Sequence, residues 1–265
     1  MDQIVRSLQK GLDDFLLWLI LLPMKILRAI HTGYGFFVFV LLFALVLPFL
    51  LVPIFFPSRF RWVGIINRIW AHLMFTFVFL PYRIEVRGSL DKKRQYVFAP
   101  NHSSYLDIPV MGLNPINANF VGKSSIGKVP VFGYMYSRLH ILVDRASLKS
   151  RMSSIKSSLE AVDAGKSLVI FPEGGINSPV IPLMSPFKDG AFRVAIEKQI
   201  PVVPVTIPFN WIILPDPENQ LHRGLVKVIF HEPIETTGLT LEDTPLLKER
   251  VYSILDQELR KQNKL

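Results

Sequence analysis

The sequence predicts an α/β protein: a mixed, largely parallel sheet of about seven strands flanked by helices, preceded by N-terminal membrane-embedded helices. Three observations lead to this prediction. The first eighty residues are strongly apolar. After them, short apolar runs alternate with helical patterns. Polar clusters follow two of these runs, where parallel sheets carry their sites. We therefore predict a membrane-associated helical region over residues 1–80 and an α/β domain over residues 81–265.

The N-terminal region contains one long uncharged segment. Residues 36–56, "FFVFVLLFALVLPFLLVPIFF", would extend about 30 Å as a helix, enough to cross a bilayer core. Pro48 and Pro53 interrupt its second half, and cations flank both ends, whereas a span expects an excess of cations on one side. Balanced flanks favour a re-entrant or interfacial hairpin with both ends cytoplasmic, and a transmembrane span stays open. Residues 13–30 and 62–80 are interpreted as interfacial helices.

The α/β region contains seven candidate strands. They are residues 82–86, 95–99, 119–121, 139–143, 167–171, 202–207 and 226–230. Between the fourth and fifth, apolar residues recur at steps of three and four over 148–162, and Gly165 follows as a C-cap. This pattern predicts an amphipathic crossover helix. A second such helix over residues 247–259 closes the chain.

Net charge and amino-acid composition limit the partners and the chemistry that the chain can have. The formal net charge is +9, from 30 Lys and Arg against 21 Asp and Glu. Such a charge suits a protein that lies on anionic lipid or handles phosphorylated or CoA-type substrates. Nucleic acid is not the expected partner, because the chain has no basic helix, aromatic RNA-binding motif or zinc spacing. The absence of cysteine removes thiol nucleophiles and zinc thiolate sites, and no histidine spacing predicts a metal site.

The stretch "NHSSYLD", residues 101–107, follows a predicted buried strand. A histidine base needs its second ring nitrogen held by an acceptor, and Asp107 can hold His102 in this way. A five-residue offset separates two side chains on a straight helix, so we expect His102 in a turn and Asp107 in the first helical turn. The alternative is that Asp107 only caps a helix and His102 is a turn histidine with satisfied hydrogen bonds.

Several ordered blocks resemble the glycerolipid acyltransferase family, the 1-acylglycerol-3-phosphate (lysophosphatidate) acyltransferases. "NHSSYLD" is similar to the NH-x4-D block of that family, and "FPEGG", residues 171–175, is similar to its FPEG-T-R block. The resemblance covers about residues 80–235. Further matching segments are "GKSSIGKVPVFG" (122–133), "ILVDR" (141–145), "FKDGAF" (187–192) and "IPVVPVTI" (200–207).

The resemblance implies that His102 is the base, that Asp107 orients it, and that Glu173 and Gly174 belong to the acceptor-binding block. One departure matters. Where the family has Thr and Arg, this chain has Gly175 and Ile176, so the guanidinium credited with phosphate binding is missing.

Either another cation replaces that guanidinium, or the acceptor lacks the phosphate. Candidate cations are Arg145, Lys188, Lys123 and Lys128, and each lysine is alternatively a solvated surface charge. The backbone N–H groups of Gly174 and Gly175 are a further candidate for holding an anion.

The function implied is acyl transfer from acyl-CoA or acyl carrier protein, as co-substrate, to the free hydroxyl of 1-acylglycerol 3-phosphate, which makes phosphatidic acid, with no other cofactor. The expected partner is a lipid bilayer, at the cytoplasmic face of the inner cell membrane. A first alternative is another acceptor, such as a lyso-aminolipid. A second is a lipase that uses Ser103 or Ser104 as nucleophile, although the chain lacks the G-x-S-x-G motif. A non-catalytic membrane-binding protein is the third.

Overall fold

The structure is a computed structural model that describes residues 2–265, with side chains described from residue 22 onward. The helices are α1 (Asp2–Phe55), α2 (Arg61–Phe77), α3 (Asp107–Met111), α4 (Phe132–Leu139), α5 (Leu148–Asp163), α6 (Gly190–Glu197), α7 (Asn210–Ile213) and α8 (Thr244–Asn263). The strands are β1 (Tyr82–Val86), β2 (Val97–Pro100), β3 (Ala118–Lys123), β4 (Ile141–Val143), β5 (Ser167–Val169), β6 (Val202–Thr206) and β7 (Val226–Phe230).

The seven strands form one sheet in the order β1-β7-β6-β2-β5-β3-β4. Neighbouring strands are parallel except β6 and β7. The predicted fold class, a mixed and largely parallel sheet flanked by helices, is confirmed. All four residues of β2 are buried between β5 and β6. The carboxyl ends of β2, β3, β4, β5 and β6 therefore lie at one edge of the sheet, called the carboxyl edge below.

Helices cover both faces of the sheet. Successive strand residues point to opposite sides, so each strand contributes side chains to both cores. Phe98 of β2 belongs to a core that includes side chains of α1, α2, α3 and α4. Its neighbours Val97 and Ala99 belong to a second core with α5, α6 and α8. The N-terminal helices and the crossover helix α5 thus lie on opposite faces.

The N-terminal region differs from the prediction in its continuity. The expected separate segments 13–30 and 36–56 form one helix, α1, which stays helical through Pro48 and Pro53. The chain reverses only at residues 56–60. A break inside 36–56 is therefore wrong for this chain. Tertiary packing overrides the second proline, since Pro53 is buried, whereas Pro48 is exposed.

Close packing also accounts for Gly35 within α1. A Cβ on Gly35 would lie 2.8 Å from Leu221 and 3.3 Å from Val78, so the glycine lets the helix approach the domain closely. Val38, Leu42 and Leu50 continue the buried side of α1. Within the described residues, Leu22–Phe55 is one helix long and apolar enough to cross a membrane, judged by length and composition only.

The hairpin of α1 and α2 runs along the sheet from edge to edge. Its tip contacts the edge opposite the site, where Asn117 donates to the carbonyl of Phe60 at 2.9 Å. At the carboxyl edge, His31 bonds to the carbonyl of Val78 at 2.8 Å. Because α1 extends about 80 Å and α2 only about 25 Å, the part of α1 before His31 projects past this edge.

Candidate active site

Asn101 fixes the turn that carries His102 through two hydrogen bonds to the backbone of Ile207. Asn101, the first residue after β2, accepts from the backbone N–H of Ile207 at 2.7 Å and donates to its carbonyl at 3.0 Å. These two bonds join the ends of β2 and β6. The next residue, His102, therefore leaves the sheet at the carboxyl edge, where its ring stacks on Phe171 with centroids 4.2 Å apart.

The structure brings His102 and Asp107 together. Nδ1 of His102 lies 3.0 Å from Oδ2 of Asp107, and the aspartate is fully buried at the start of α3. A carboxylate accepts hydrogen bonds, so Nδ1 carries the proton and Nε2 keeps its lone pair. In the described part of the chain, no hydrogen bond engages Nε2. The ring can therefore take a proton from a bound hydroxyl.

Asp107 also fixes the turn in which the histidine lies. Its Oδ2 accepts the backbone N–H groups of Ser103 at 2.8 Å and Ser104 at 2.9 Å. Its Oδ1 accepts from the side-chain amide of Asn210 at 2.9 Å. One carboxylate thus holds the turn, the imidazole and α7. Asp107 does not cap α3, because the helix has no side-chain cap hydrogen bond and the N–H groups that Asp107 accepts precede it. Of the two alternatives, the structure supports orientation of His102.

Glu173 supports the same turn from the neighbouring strand. It follows β5, and its Oε1 accepts the backbone N–H of His102 at 2.7 Å while Oε2 accepts that of Ser185 at 2.8 Å. Burial raises the pKa of Glu173 to about 7, against the opposing effect of the two amide hydrogen bonds. Both oxygens are engaged by the chain itself, so Glu173 braces the backbone of His102.

Two of the four candidate cations converge on the glycine pair. Gly174 has a positive φ of 75°, which favours glycine. A Cβ there would contact Cγ of Lys188 at 3.6 Å, and one on Gly175 would lie 3.2 Å from Nη1 of Arg145. Burial lowers the pKa of Arg145, and no carboxylate among the described side chains lies within 4.0 Å of its guanidinium.

The other two candidate cations lie further along the carboxyl edge. Lys123 ends β3 and Lys128 ends the 3-10 turn Ser124–Lys128, and both side chains are exposed. The structure does not bring either lysine into a hydrogen bond or ion pair with the described residues of the site. They remain candidates by position alone.

An apolar cavity of about 90 Å³ lies between the helical hairpin, α3 and α4, and neither His102 nor Asp107 lines it. Ile108 and Pro109 in its wall directly follow Asp107 in α3. The rest of the wall comes from α1, α2 and α4 together with Phe120 and His140. No group of His, Asp or Glu in the described residues could hold a metal ion.

Comparison with known proteins relates part of the chain to one family. A family model described as acyltransferase matches residues 83–208, which include the histidine, the aspartate and Glu173. The chloroplastic 1-acyl-sn-glycerol-3-phosphate acyltransferase BAT2 of Brassica napus is 30% identical over 192 residues. The 1-acyl-sn-glycerol-3-phosphate acyltransferase of Saccharomyces cerevisiae is 30% identical over 187 residues. Residues 83–208 match the acyltransferase family.

These alignments cover 71% and 69% of this chain, and 54% and 61% of the two relatives. The chain thus spans little more than half the length of the curated relatives it matches. A solved structure has the same fold: the 1-acyl-sn-glycerophosphate acyltransferase PlsC of Thermotoga maritima, with a TM-score of 0.73 and 23% identity. That match covers 90% of this chain and 97% of the PlsC chain.

The positions of Ser103 and Ser104 do not support the alternative of a serine hydrolase. A serine nucleophile needs a base in hydrogen-bond reach. Ser104 donates its hydroxyl to the carbonyl of Leu214 at 2.7 Å, and the hydroxyl of Ser103 is buried without a hydrogen-bond partner in the described structure. In the described structure, the ring of His102 forms no hydrogen bond with either hydroxyl.

Sequence reasoning missed one residue of this site, Asn210. Its side chain is fully buried, and it reaches Asp107 from the first turn of α7. The two residues are 103 positions apart, and "FNW" matches none of the blocks on which the resemblance rests. The available signal was its position just beyond the fourth block, at the carboxyl end of a strand beside β2.

Proposed function

We propose that this chain transfers a fatty acyl group from acyl-CoA or acyl carrier protein to the free hydroxyl of 1-acylglycerol 3-phosphate, which makes phosphatidic acid. One observation carries the proposal: the imidazole of His102 is oriented by Asp107 at 3.0 Å, and none of the described residues forms a hydrogen bond with its second nitrogen. The names of the curated relatives support the same acceptor.

The proposed reaction needs no covalent acyl-enzyme. Nε2 of His102 takes the proton of the acceptor hydroxyl as its oxygen attacks the carbonyl carbon of the thioester. The tetrahedral intermediate then breaks the C–S bond, and the departing sulfur takes the proton back from the imidazolium. Asp107 stabilises the imidazolium while it exists. The products are the new ester and the free thiol of the donor.

Binding of the acceptor phosphate is assigned to the cations at the glycine pair. Arg145 and Lys188 approach Gly175 and Gly174, the positions that follow Glu173. A guanidinium forms paired hydrogen bonds with phosphate oxygens, so Arg145 can take the place of the arginine missing at Ile176. Lys123 and Lys128 add positive charge along the same edge.

The acyl chains are assigned to the apolar side of the site. The cavity next to α3 has the lining that a hydrocarbon chain requires. The exposed apolar side chains of α1 and α2 favour a bilayer as partner of residues 1–80, which leaves residues 81–265 as the catalytic domain. The protein then acts at the cytoplasmic face of the inner membrane, where the projecting part of α1 brings the carboxyl edge to the lipid.

A lysolipid panel tests the function. The purified chain is assayed with lysophosphatidate, lyso-aminolipids and other lysophospholipids, each with acyl-CoA and with acyl carrier protein as donor. We expect acyl transfer to lysophosphatidate. Inactivity on lysophosphatidate together with activity on an aminolipid would instead favour the alternative that Ile176 raises, an acceptor without that phosphate.

A further inference from the structure

The positive charge of the chain is concentrated in one segment. Residues 118–159, from β3 into α5, contain seven Lys or Arg and one acid, Asp144, a net charge of +6. The other 223 residues contain 23 cations and 20 acids, a net charge of +3. The cations of this segment are Lys123, Lys128, Arg138, Arg145, Lys149, Arg151 and Lys156.

Helix α5 exposes three of these cations next to two apolar side chains. Lys149, Arg151 and Lys156 are exposed. Leu148 and Met152, one turn apart, are exposed by 66% and 58%. Among the described residues, the nearest carboxylate to these cations is Glu160, at 4.0 Å from Lys156 with both side chains largely in water. We call this surface the α5 patch.

The residues of the α5 patch do not stabilise helix α5 itself. Cations in the first turn of a helix are disfavoured by the positive end of its dipole. The first turn of α5 nevertheless contains no acid, and Lys149 and Arg151 lie within its first four residues. Exposed Leu148 adds nothing to the core. Departures from local preference without a structural gain are expected where a surface serves function.

The position of the α5 patch joins it to the site and separates it from the hairpin. Arg151 donates to the carbonyl of Arg145 at 3.0 Å, so α5 starts next to the residue that approaches Gly175. Yet α5 packs on the face opposite α1 and α2. The α5 patch therefore lies on the side of the sheet away from the hairpin.

We propose that the α5 patch is the docking surface for acyl carrier protein, an acidic helical protein that delivers the acyl chain as a thioester. The inference rests on the proposed function and deepens it by naming the donor. A convex helix face whose cations extend over two turns around apolar Leu148 and Met152 fits a protein surface. It offers no cleft to the nucleotide of CoA, and it faces away from the lipid-contacting helices.

The test compares two donors that carry the same acyl chain. The full chain and the variant Lys149→Glu/Lys156→Glu are assayed with acyl carrier protein and with CoA donors. The matched control is Lys92→Glu/Lys93→Glu, which makes the same charge change at exposed residues in the loop before β2. For the α5 variant we expect KM for the carrier-protein donor to rise about tenfold or more, with kcat and the CoA reaction unchanged. The control should match the parent with both donors.

Salt and direct binding complete the test. The reaction of the parent with the carrier-protein donor should slow as ionic strength rises, more than in the α5 variant. An equal effect of the α5 variant on both donors would overturn the proposal, as would loss of binding to anionic vesicles with donor preference unchanged. If the parent transfers from neither donor, the proposed function fails instead. Direct binding of acyl carrier protein to parent and variant then decides the docking surface by itself.

Discussion

The side-chain amide of Asn210 donates a 2.9 Å hydrogen bond to Oδ1 of Asp107. Oδ2 of the same carboxylate is bonded to His102 and to two backbone N–H groups. Asn210 is therefore the partner that fixes the second oxygen, and with it the angle at which the carboxylate meets the imidazole. We assign Asn210 as a positioning residue, because it acts on the histidine through Asp107.

Replacing Asn210 by leucine removes this donor at similar volume. A hydrogen bond to a charged group contributes about 1.5–3 kcal/mol, so we expect kcat to fall about 10- to 100-fold. KM for both substrates should not change, since Asn210 contacts no proposed substrate position. Steady-state kinetics, with circular dichroism and Tm as folding controls, make the comparison. Undiminished kcat in folded Asn210→Leu would remove the assigned role.

The variants His102→Ala and Asp107→Asn test the proton transfer itself. Loss of the base, or of the carboxylate that orients it, should lower kcat by about 10²- to 10⁴-fold with the fold preserved. The reaction is followed as release of free thiol from the donor. Ser103→Ala is the matched control, because its hydroxyl forms no hydrogen bond in the described structure, and it should keep near-parental turnover. Near-parental turnover in either of the first two variants would contradict the mechanism.

Much of the fold was predictable because its signals are local. Alternating apolar runs indicated all seven strands, and the three- and four-residue steps over residues 148–162 predicted α5, observed as Leu148–Asp163. Strand ends were less predictable. β5 ends at Val169, two residues before the predicted end, where the chain turns toward Glu173. Apolar content continues past that turn, so periodicity alone does not mark it.

Long-range contacts were not predictable from one sequence. The spacing of His102 and Asp107 indicated a pair, because five residues across a turn constrain their distance. No spacing relates Arg145 to Gly175, or Asn210 to Asp107, since each contact depends on the order of strands in the sheet. The continuity of α1 through Gly35 likewise depends on Leu221, a packing partner far along the chain.

Glu173 predicts a specific pH dependence of stability. Burial raises its pKa from 4.5 to about 7, so the folded chain holds a proton that the unfolded chain releases in this range. The stabilising contribution is complete below pH 4.5 and is lost as pH rises through about 7. Relative to Glu173→Gln, the free energy of unfolding of the parent should fall by about 3 kcal/mol between these limits.

Denaturant titrations at several pH values measure this difference. The control is Glu197→Gln, at an exposed carboxyl in α6. Its difference from the parent should not fall with pH in the same way. A parallel pH dependence in parent and Glu173→Gln would mean that Glu173 does not titrate in this range.

The outer face of α2 predicts lipid binding. Ile65 and Ile69 are exposed by 43% and 52%, on the side of the helix away from the core. Burial of an aliphatic side chain contributes about 1.5–3 kcal/mol, so Ile65→Ser/Ile69→Ser should weaken partitioning into vesicles by on the order of 100-fold. Vesicle sedimentation gives the measurement. Leu241→Ser/Leu246→Ser, at exposed residues next to and within α8, should leave partitioning unchanged, and an equal loss there would exclude the hairpin as the specific contact.

The position of Arg145 beside Gly175 predicts that an arginine at position 176 can restore the phosphate binding lost when Arg145 is removed. A charge-assisted hydrogen bond to phosphate contributes about 1.5–3 kcal/mol, so Arg145→Ala should raise KM for lysophosphatidate about 10- to 100-fold with kcat little changed. If Arg145 replaces the arginine that the family has at position 176, then Ile176→Arg in the Arg145→Ala background should restore much of the lost affinity, because it returns a guanidinium to the same glycine pair.

A comparison of two acceptors distinguishes phosphate binding by Arg145 from a structural role of that residue. A neutral lysolipid acceptor has no phosphate at this position to lose, so KM for it should not respond to either change. Arg193→Ala removes an exposed arginine from α6 and should leave both acceptors unaffected. Unchanged KM for lysophosphatidate in Arg145→Ala would show that Arg145 does not hold the phosphate. An acceptor without that phosphate, which the absence of arginine at position 176 first suggested, would then be the better assignment.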